Sequence, residues 1–433
     1  MKDKHFTSRM LICAGALMGI SGILITICAK LAYGGILFAA AACMFFAARN
    51  FRIAEDEKEN ENQGAETEHR KHKKTVLKWI CGILAALLII LVAGGWWMFG
   101  TFITAANSIE KLEDGLYSME YNGDYGFDDF VTRGGAANDG EVADYLVSFL
   151  SHGFYNIESD VQTGEFGCST ICTQDAHGTV FFGRNYDWEE CRAMIVHTKP
   201  KDGYESVSTC CLDFLGFSEG YAPDGSMMER MQTLAAVYVP LDGMNEKGLV
   251  VADLMAGDNE ETHQDTDKPD LTTTTAIRLL LDRAADVDEA IALLQQYDMN
   301  SSIGSAHHLS IADASGKSVV VEYVDGEMLV TETKVVTNHY LSDCKKQGIG
   351  SEQSHIRFDT LFAYSGPADE VDVRDMLESV AQKNYPQAEG SYEKTMWSIV
   401  YCSEGRCADF YFAENYEHSY GLLLLEKGSF LTR

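Results

Sequence analysis

The sequence predicts an α+β domain carried behind an apolar helical N-terminus. Three observations predict it. Apolar stretches crowd into the first 105 residues, short β-type runs separated by turn residues begin at Cys168, and a few helical patterns interrupt those runs. The runs and helices do not alternate as strand–helix–strand units, which argues for antiparallel hairpins with helices laid over the sheets.

The apolar stretches come first. Two lie within Met10–Ala48, broken by Lys30 and a Tyr33-Gly34-Gly35 turn signal, and a third runs from Trp79 to Ala105. About 20 apolar residues span a bilayer core, so the third is long enough to cross and the first two read as a tight hairpin. Residues 1–49 are thus expected to form a transmembrane helical hairpin, 50–78 a charged cytoplasmic loop, and 79–105 a third transmembrane helix. Arg9 precedes the first stretch and Arg70, Lys71, Lys73, Lys74 and Lys78 precede the third, whereas the intervening turn offers only Lys30. Basic residues stay inside, so the threading is in, out, in, out. The protein is expected to be multi-pass in the cell membrane, with residues 106–433 on the extracytoplasmic side. A signal peptide is the alternative for the first stretch alone.

Charge is divided unevenly. Residues 1–104 hold 12 Lys+Arg and 8 Asp+Glu, which leaves 22 and 57 for the remainder, a net of −35. An acidic body repels phosphate, so nucleic acid is excluded as a partner. No strand–GxGxxG–helix unit or GxxxxGKS/T loop is present, which disfavours nucleotide binding.

After the third helix, Asp139–Leu150 has helical spacing, with Val142, Tyr145, Leu146 and Phe149 on one face. From Cys168 onward GTVFFGRN, AMIVHT, TLAAVYVPL, GLVVADLM, KSVVVEYV, KVVTNHY, MWSIVYC and ADFYFA read as strands. Gly178 and Ser403-Glu404-Gly405 read as hairpin turns. Thr272–Ala285 reads as a helix, a second follows Asp286 with Glu289 as a capping box, and a third starts near Asp372.

The chemistry concentrates in Gly167-Cys168-Ser169-Thr170 and Gly183-Arg184-Asn185-Tyr186-Asp187-Trp188. Arg184 and Asp187 lie 16 and 19 residues after Cys168, across one hairpin turn, so a returning strand brings them beside it. This pattern resembles the choloylglycine hydrolase and penicillin V acylase family of N-terminal-nucleophile hydrolases. The resemblance continues through Asn245-Glu246-Lys247-Gly248-Leu249, Thr337-Asn338 and Ser354-His355-Ile356-Arg357-Phe358, in family order over most of residues 160–425.

The resemblance implies a four-layer αββα sandwich over 168–433, with 106–167 a pro-segment packed on it. Cys168 is then the nucleophile, exposed by self-cleavage at Gly167–Cys168. Arg184 and Asp187 position its sulfur and amine, Asn338 helps form the oxyanion hole, and Arg357 supports the charge network. Trp188 and Met255 are candidate substrate contacts. Met255 stands where bile-salt hydrolases offer an Asn side chain, which leaves only its backbone as an oxyanion donor and weakens bile-salt specificity. The expected reaction is hydrolysis of a small-molecule linear amide through a cysteine acyl-enzyme, with the nucleophile's own α-amine as base and with no metal or cofactor.

Alternatives follow from the same residues. An amine entering in place of water makes the site an acyltransferase, and a module that kept the fold without catalysis makes it a membrane-tethered binding or sensory domain. Cys168, Cys172 and Cys191 lack the paired CxxC spacing of a metal cluster. His307, His308 and His339 raise a Cys/His protease reading, without a Cys-Gly-Ser-Cys-Trp context to support it. Cys402 and Cys407 flank a hairpin turn, where an extracytoplasmic compartment permits a disulfide.

Overall fold

The computed structural model describes residues 66–150, 167–215, 220–258, 260–386, 392–424 and 431–432. The two apolar stretches expected before residue 49, and most of the charged loop after them, lie outside these residues. What is described begins with one helix, α1 (Glu66–Ser108). Its stretch Val76–Ser108 is the one helix among the described residues long and apolar enough to cross a membrane. Up to residue 99 its described side chains are exposed or half-buried, with Ile89, Ile90, Val92 and Trp97 all exposed, whereas Phe102, Ala105 and Ala106 near its end are buried.

The chain divides into a unit ending at Gly100 and a second that holds residues 101–150 together with 167 onward. The second unit starts with the hairpin β1 (Glu110–Glu113) and β2 (Leu116–Asn122), turned at Gly115 where φ is +85°. Helices α2 (Phe127–Thr132) and α3 (Asp139–Leu150) follow. Then come β3 (Gly167–Gln174), β4 (Val180–Trp188), β5 (Ala193–Lys199), β6 (Ser206–Cys211), α4 (Met227–Thr233), β7 (Asp242–Asn245) and β8 (Val250–Met255). The middle of the chain supplies β9 (Asp270–Thr272), α5 (Thr273–Arg283), α6 (Val287–Leu294), β10 (Asp298–Asn300), β11 (His307–Ala312), β12 (Ser318–Val324), β13 (Glu327–Glu332) and β14 (Val335–Val336). It closes with α7 (Glu352–Phe362), α8 (Glu370–Ser379), β15 (Tyr385–Pro386), β16 (Tyr392–Cys402), β17 (Cys407–Phe412), β18 (Tyr420–Leu423) and β19 (Leu431–Thr432).

Two large sheets result. One has nine strands in the order β1-β2-β5-β6-β7-β8-β11-β12-β13; the other runs β14-β3-β4-β16-β17-β18-β19, with β15 on β16. Strand alternation sends one set of side chains inward from each sheet. Phe182, Tyr186, Trp397, Ile399, Tyr401 and Phe410 from one meet Ile195, Val207, Met244, Val250, Ala252 and Leu254 from the other in a single buried cluster. Helix α5 covers β7 and β8 on the outside of the nine-stranded sheet, while α7 and α8 cover β14, β3, β4 and β16. The layers are therefore αββα.

The outer helices seat on glycines. A Cβ at Gly183 would lie 2.6 Å from Val373 of α8, and one at Gly243 would lie 2.7 Å from Leu281 of α5. Helix starts obey their caps. Asp286 accepts from Glu289 N–H ahead of α6, while the Glu289 carboxylate returns to Ala285 N–H. Asp369 opens α8 with a full capping box, three residues ahead of the expected start near Asp372.

One strand expectation fails. Within TLAAVYVPL, Leu234–Tyr238 is a 3₁₀ turn continuing from α4. Leu234, Ala236, Val237 and Tyr238 are all buried, so the run is apolar on every side and carries no periodicity to separate strand from helix.

The segment ahead of Cys168 enters the sheet itself. Strand β2 pairs parallel with β5 from Leu116↔Ala193 to Asn122↔Lys199, and Leu116, Met119 and Tyr121 are fully buried. Helix α3 occupies the expected residues and buries Val142 and Leu146. Its Tyr145 and Phe149 join an aromatic cluster with Phe130, Tyr238 and Phe102.

Candidate active site

Strand register brings the predicted residues together. Antiparallel pairing of β3 and β4 sets Gly167 opposite Asp187, Cys168 opposite Tyr186 and Thr170 opposite Arg184. On the far side of β4, β16 sets Thr395 opposite Asp187 and Trp397 opposite Tyr186, with the extra residue Met396 forming a bulge. A bulge re-aims the side chains beside it, and here it lies at the end of the strand that carries Asp187.

Cys168 is held at three atoms. Its Sγ accepts from Arg184 Nη2 at 3.4 Å, its backbone N–H donates to Asn338 Oδ1 at 2.7 Å, and its carbonyl accepts from Arg357 Nη1 at 2.6 Å. Arg357 also reaches Asp187 Oδ2 at 3.2 Å and Asn338 Oδ1 at 2.9 Å. The other Asp187 oxygen accepts from the Thr395 hydroxyl at 2.7 Å. Asn338 turns its amide N–H to the carbonyl of Met255 at 2.9 Å. All five candidate catalytic residues therefore lie in one connected network, with Met255 at its edge. Trp188 packs edge-on against Phe214, 5.5 Å between ring centres, next to Asp187.

A side chain at Gly167 would be tightly crowded. A Cβ there would fall 3.0 Å from Glu393 Oε2 and 3.2 Å from Asp187 Cβ and Oδ2. The peptide bond preceding Cys168 is thus flanked by carboxylates and lies within the network.

Arg184 sits wholly inside the sandwich. Its Nη1 pairs with Asp242 of β7, and its Nη2 also donates to the Asp253 carbonyl of β8 at 3.0 Å. The Tyr186 and Trp397 rings, stacked 4.0 Å apart, flank the guanidinium. Asp242 is in turn held by Tyr401 OH at 2.5 Å and Trp397 Nε1 at 3.3 Å. The charge is therefore paired rather than stranded, although Nε finds no hydrogen-bond partner among the described residues.

Electrostatics follow from burial. Burial pushes the Cys168 thiol up to about 12, with Arg184 working against it, so the thiol of the intact chain is protonated at neutral pH. Burial also raises Asp187 above the usual carboxylate range, opposed by Arg357. For Arg184, burial disfavours the charge, but Asp242, Cys168 and Asp253 together outweigh it and the guanidinium stays firmly protonated.

Several supports carried no sequence signal strong enough to be singled out. Asp242, Thr395 and Trp397 are among them. So are two carboxylate–histidine pairs on neighbouring positions of β11. His307 bonds Asp253 at 2.9 Å and the Ser302 carbonyl at 2.8 Å; His308 bonds Glu322 at 3.0 Å and the Thr337 carbonyl at 2.9 Å. His339 lies against Thr337 and Ser354. The hydrogen bond to the Cys168 sulfur comes from Arg184, so the three histidines serve as struts around the site. An aspartate inside a strand is disfavoured on its own, and Asp242 and Asp253 were legible only as that anomaly.

Among the described residues the other thiols are free. Cys402 and Cys407 are opposite one another across the β16–β17 hairpin. Cys191, Cys211 and Asp213 have ligand atoms within 4.8 Å of one another, a different grouping from Cys168, Cys172 and Cys191. The Asp213 carboxylate already accepts from Arg192 N at 2.8 Å and Nε at 2.7 Å.

Comparison with known proteins gives the family of the chain. The family model of acyl-coenzyme A:6-aminopenicillanic acid acyl-transferase matches residues 173–417, more than half of the chain. The chain belongs to that family, and with it to the N-terminal-nucleophile amidohydrolases that include the choloylglycine hydrolases and penicillin V acylases. A penicillin V acylase of Pectobacterium atrosepticum is 34% identical over 110 residues, 22% of this chain and 29% of the relative's length. Among solved structures, a conjugated bile acid hydrolase from Clostridium perfringens superposes with a TM-score of 0.45 at 15% identity, covering 60% of this chain and 93% of its own. A penicillin V acylase from Agrobacterium tumefaciens gives 0.39 at 20% identity, covering 57% and 83%.

Proposed function

We propose that the protein cleaves itself between Gly167 and Cys168 and then hydrolyses non-peptide linear amides through a Cys168 acyl-enzyme. The observation that carries this reading is the three-point hold on Cys168. Its sulfur faces a cation, its nitrogen an amide oxygen and its carbonyl an arginine. Packing alone requires none of these.

In the first step Sγ attacks the Gly167 carbonyl and the acyl group moves from nitrogen to sulfur. Water then hydrolyses the thioester, returning the thiol and leaving a Gly167 carboxylate and a free Cys168 amine. That amine, with an ordinary pKa of about 7.7–8.0, is a base near neutral pH. It takes the thiol proton as sulfur attacks a substrate carbonyl, and passes it to the departing amine. Arg184 favours the thiolate, and Asn338 Oδ1 with Asp187 orients the amine. The oxyanion would draw on Asn338 Nδ2 and the Met255 backbone, and one such donor is worth roughly 3–4 kcal/mol in the transition state.

Capture of the acyl-enzyme by an amine instead of water is the second reading, favoured by the acyl-transferase description of the family. The apolar helix α1 would anchor the N-terminal fragment, with the catalytic domain on the extracytoplasmic side as the basic residues before it suggest. Trp188 and Met255 would border the substrate.

The test is to express the chain as wild type and as Cys168→Ala and to read the N-terminus of the large fragment. A terminus at Cys168 in wild type alone, together with Cys168-dependent labelling by a thiol-reactive acyl probe, is the expected result. Equal labelling of both proteins would favour a non-catalytic binding module.

A further inference from the structure

We infer that Asp139, in the segment ahead of Cys168, is a positioning residue for the active site, so that the N-terminal fragment remains a working part of the enzyme after cleavage. This rests on the reading of Cys168 as a self-released nucleophile.

Asp139 opens helix α3, and its carboxylate reaches across to the loop between β10 and β11. It accepts from Ser302 Oγ at 3.0 Å and from the Ile303 backbone N–H at 2.8 Å. Ile303 has φ +59°, a left-handed conformation that a β-branched residue adopts only under strain, and Gly304 follows at +71°. A charge-assisted bond to the strained residue's own N–H holds that conformation in place. The same segment grips the strand pair just before the loop. Asp270 of β9 bonds Gly134 and Ala136 through its backbone, and a Cβ at Gly135 would lie 1.8 Å from the Asp270 carbonyl oxygen.

The loop leads to Cys168 by two routes. On one, Ala306 O accepts from Ala256 N–H, next to Met255, whose carbonyl holds Asn338, which holds the Cys168 nitrogen. Ile303 itself packs in the apolar cluster that contains Cys168 and Met255. On the other, the Ser302 carbonyl accepts from His307 Nε2 while His307 Nδ1 faces Asp253. Both ring nitrogens face acceptors, an arrangement that favours the imidazolium form. Burial works against its charge, but Asp253, the Ser302 carbonyl and Asp139 outweigh it and raise its pKa. The Asp253 carbonyl then meets Arg184, which meets the sulfur. A segment retained for packing alone would need Val142, Leu146 and its aromatics, but not a carboxylate aimed at this loop.

The experiment uses the full chain as wild type, Asp139→Asn and Ser302→Ala. Processing is read from the Cys168 terminus, active sites are counted with the acyl probe, and kcat and KM on phenoxyacetyl and decanoyl aminocoumarin amides are expressed per labelled site. D139N should process and label as wild type does, yet lose roughly tenfold or more in kcat/KM per labelled site. A merely structural defect would lower the number of labelled sites and leave the per-site constants alone. S302A, which removes one donor without touching the N-terminal segment, should lose less, and the double variant no more than D139N. Per-site constants within about twofold of wild type in D139N would overturn the inference. Should D139N fail to fold, S302A decides in the same way. If wild type neither processes nor labels, the nucleophile reading fails, and this inference falls with it.

Discussion

Arg184 and Arg357 both touch Cys168, and they do so from opposite kinds of structure. Arg184 stands on a central strand, fully buried between the sheets, with Asp242 of the opposing sheet as its counter-ion. Arg357 projects from helix α7 and spreads its guanidinium over the Cys168 carbonyl, Asp187 and Asn338. The first acts on the sulfur and cannot move without disturbing the core. The second acts on the Cys168 backbone and belongs to the layer that covers the sheet. The sulfur's electrostatics are thus tied to fold stability, whereas those of the Cys168 backbone are tied to the seating of one helix and one loop.

Breaking the inner pair should give the largest effects. Asp242→Asn leaves the Arg184 charge buried without its counter-ion, which costs roughly 3–5 kcal/mol and is read from the denaturation midpoint. Arg184→Gln removes the cation nearest the sulfur, and kcat/KM per labelled site should fall by roughly 10²–10³-fold. Stability unchanged in D242N would mean that the inner pair is not the structural element described above.

The outer arginine should separate activity from stability. In Arg357→Lys a single ammonium replaces a planar fork that serves three acceptors, so it can meet only part of the set. Self-cleavage should slow by roughly 10–100-fold, followed as loss of the intact chain with time, while the denaturation midpoint shifts by only about 1 kcal/mol. Equal losses of stability in R357K and D242N would erase the distinction between the two arginines.

Much of this site was legible because its chemistry is local to one hairpin. Gly167-Cys168 and the Gly183–Trp188 run are joined by a single turn at Gly178, so strand register alone brings Arg184 and Asp187 to Cys168. The distant members, Asn338 and Arg357, were found through resemblance and not through any pattern of their own. Asp242, Asp253, Asp139 and Glu322 were not singled out, because what makes a carboxylate structural is a partner across the fold, and one sequence carries no such pairing. For the same reason the sequence set residues 106–167 beside the domain. The parallel match of β2 with β5 joins residues about 75 positions apart and leaves no local trace. The 3₁₀ turn at Leu234–Tyr238 was misread as a strand because burial on all sides erases periodicity.

The outer region can be sharpened by pH. Glu322 accepts from His308 Nδ1 at 3.0 Å, Leu341 N at 2.9 Å and Ser342 N at 2.8 Å, tying β12 to the loop that presents Asn338. Burial alone would raise its pKa, but His308 and the two N–H donors outweigh it and hold the carboxyl down at about 2. A carboxylate whose folded pKa lies below its unfolded value contributes stability that is complete above the unfolded pKa. That contribution fades as pH falls from there toward the folded value. The window here runs from about 4.5 down to about 2. Glu322→Gln should therefore melt below wild type at pH 7, by roughly 1–3 kcal/mol, with the gap narrowing as pH falls through that window toward about 2. A constant gap between wild type and E322Q across that range would detach Glu322 from the Asn338 loop's stability, and Arg357 would then be left to hold the amine side alone.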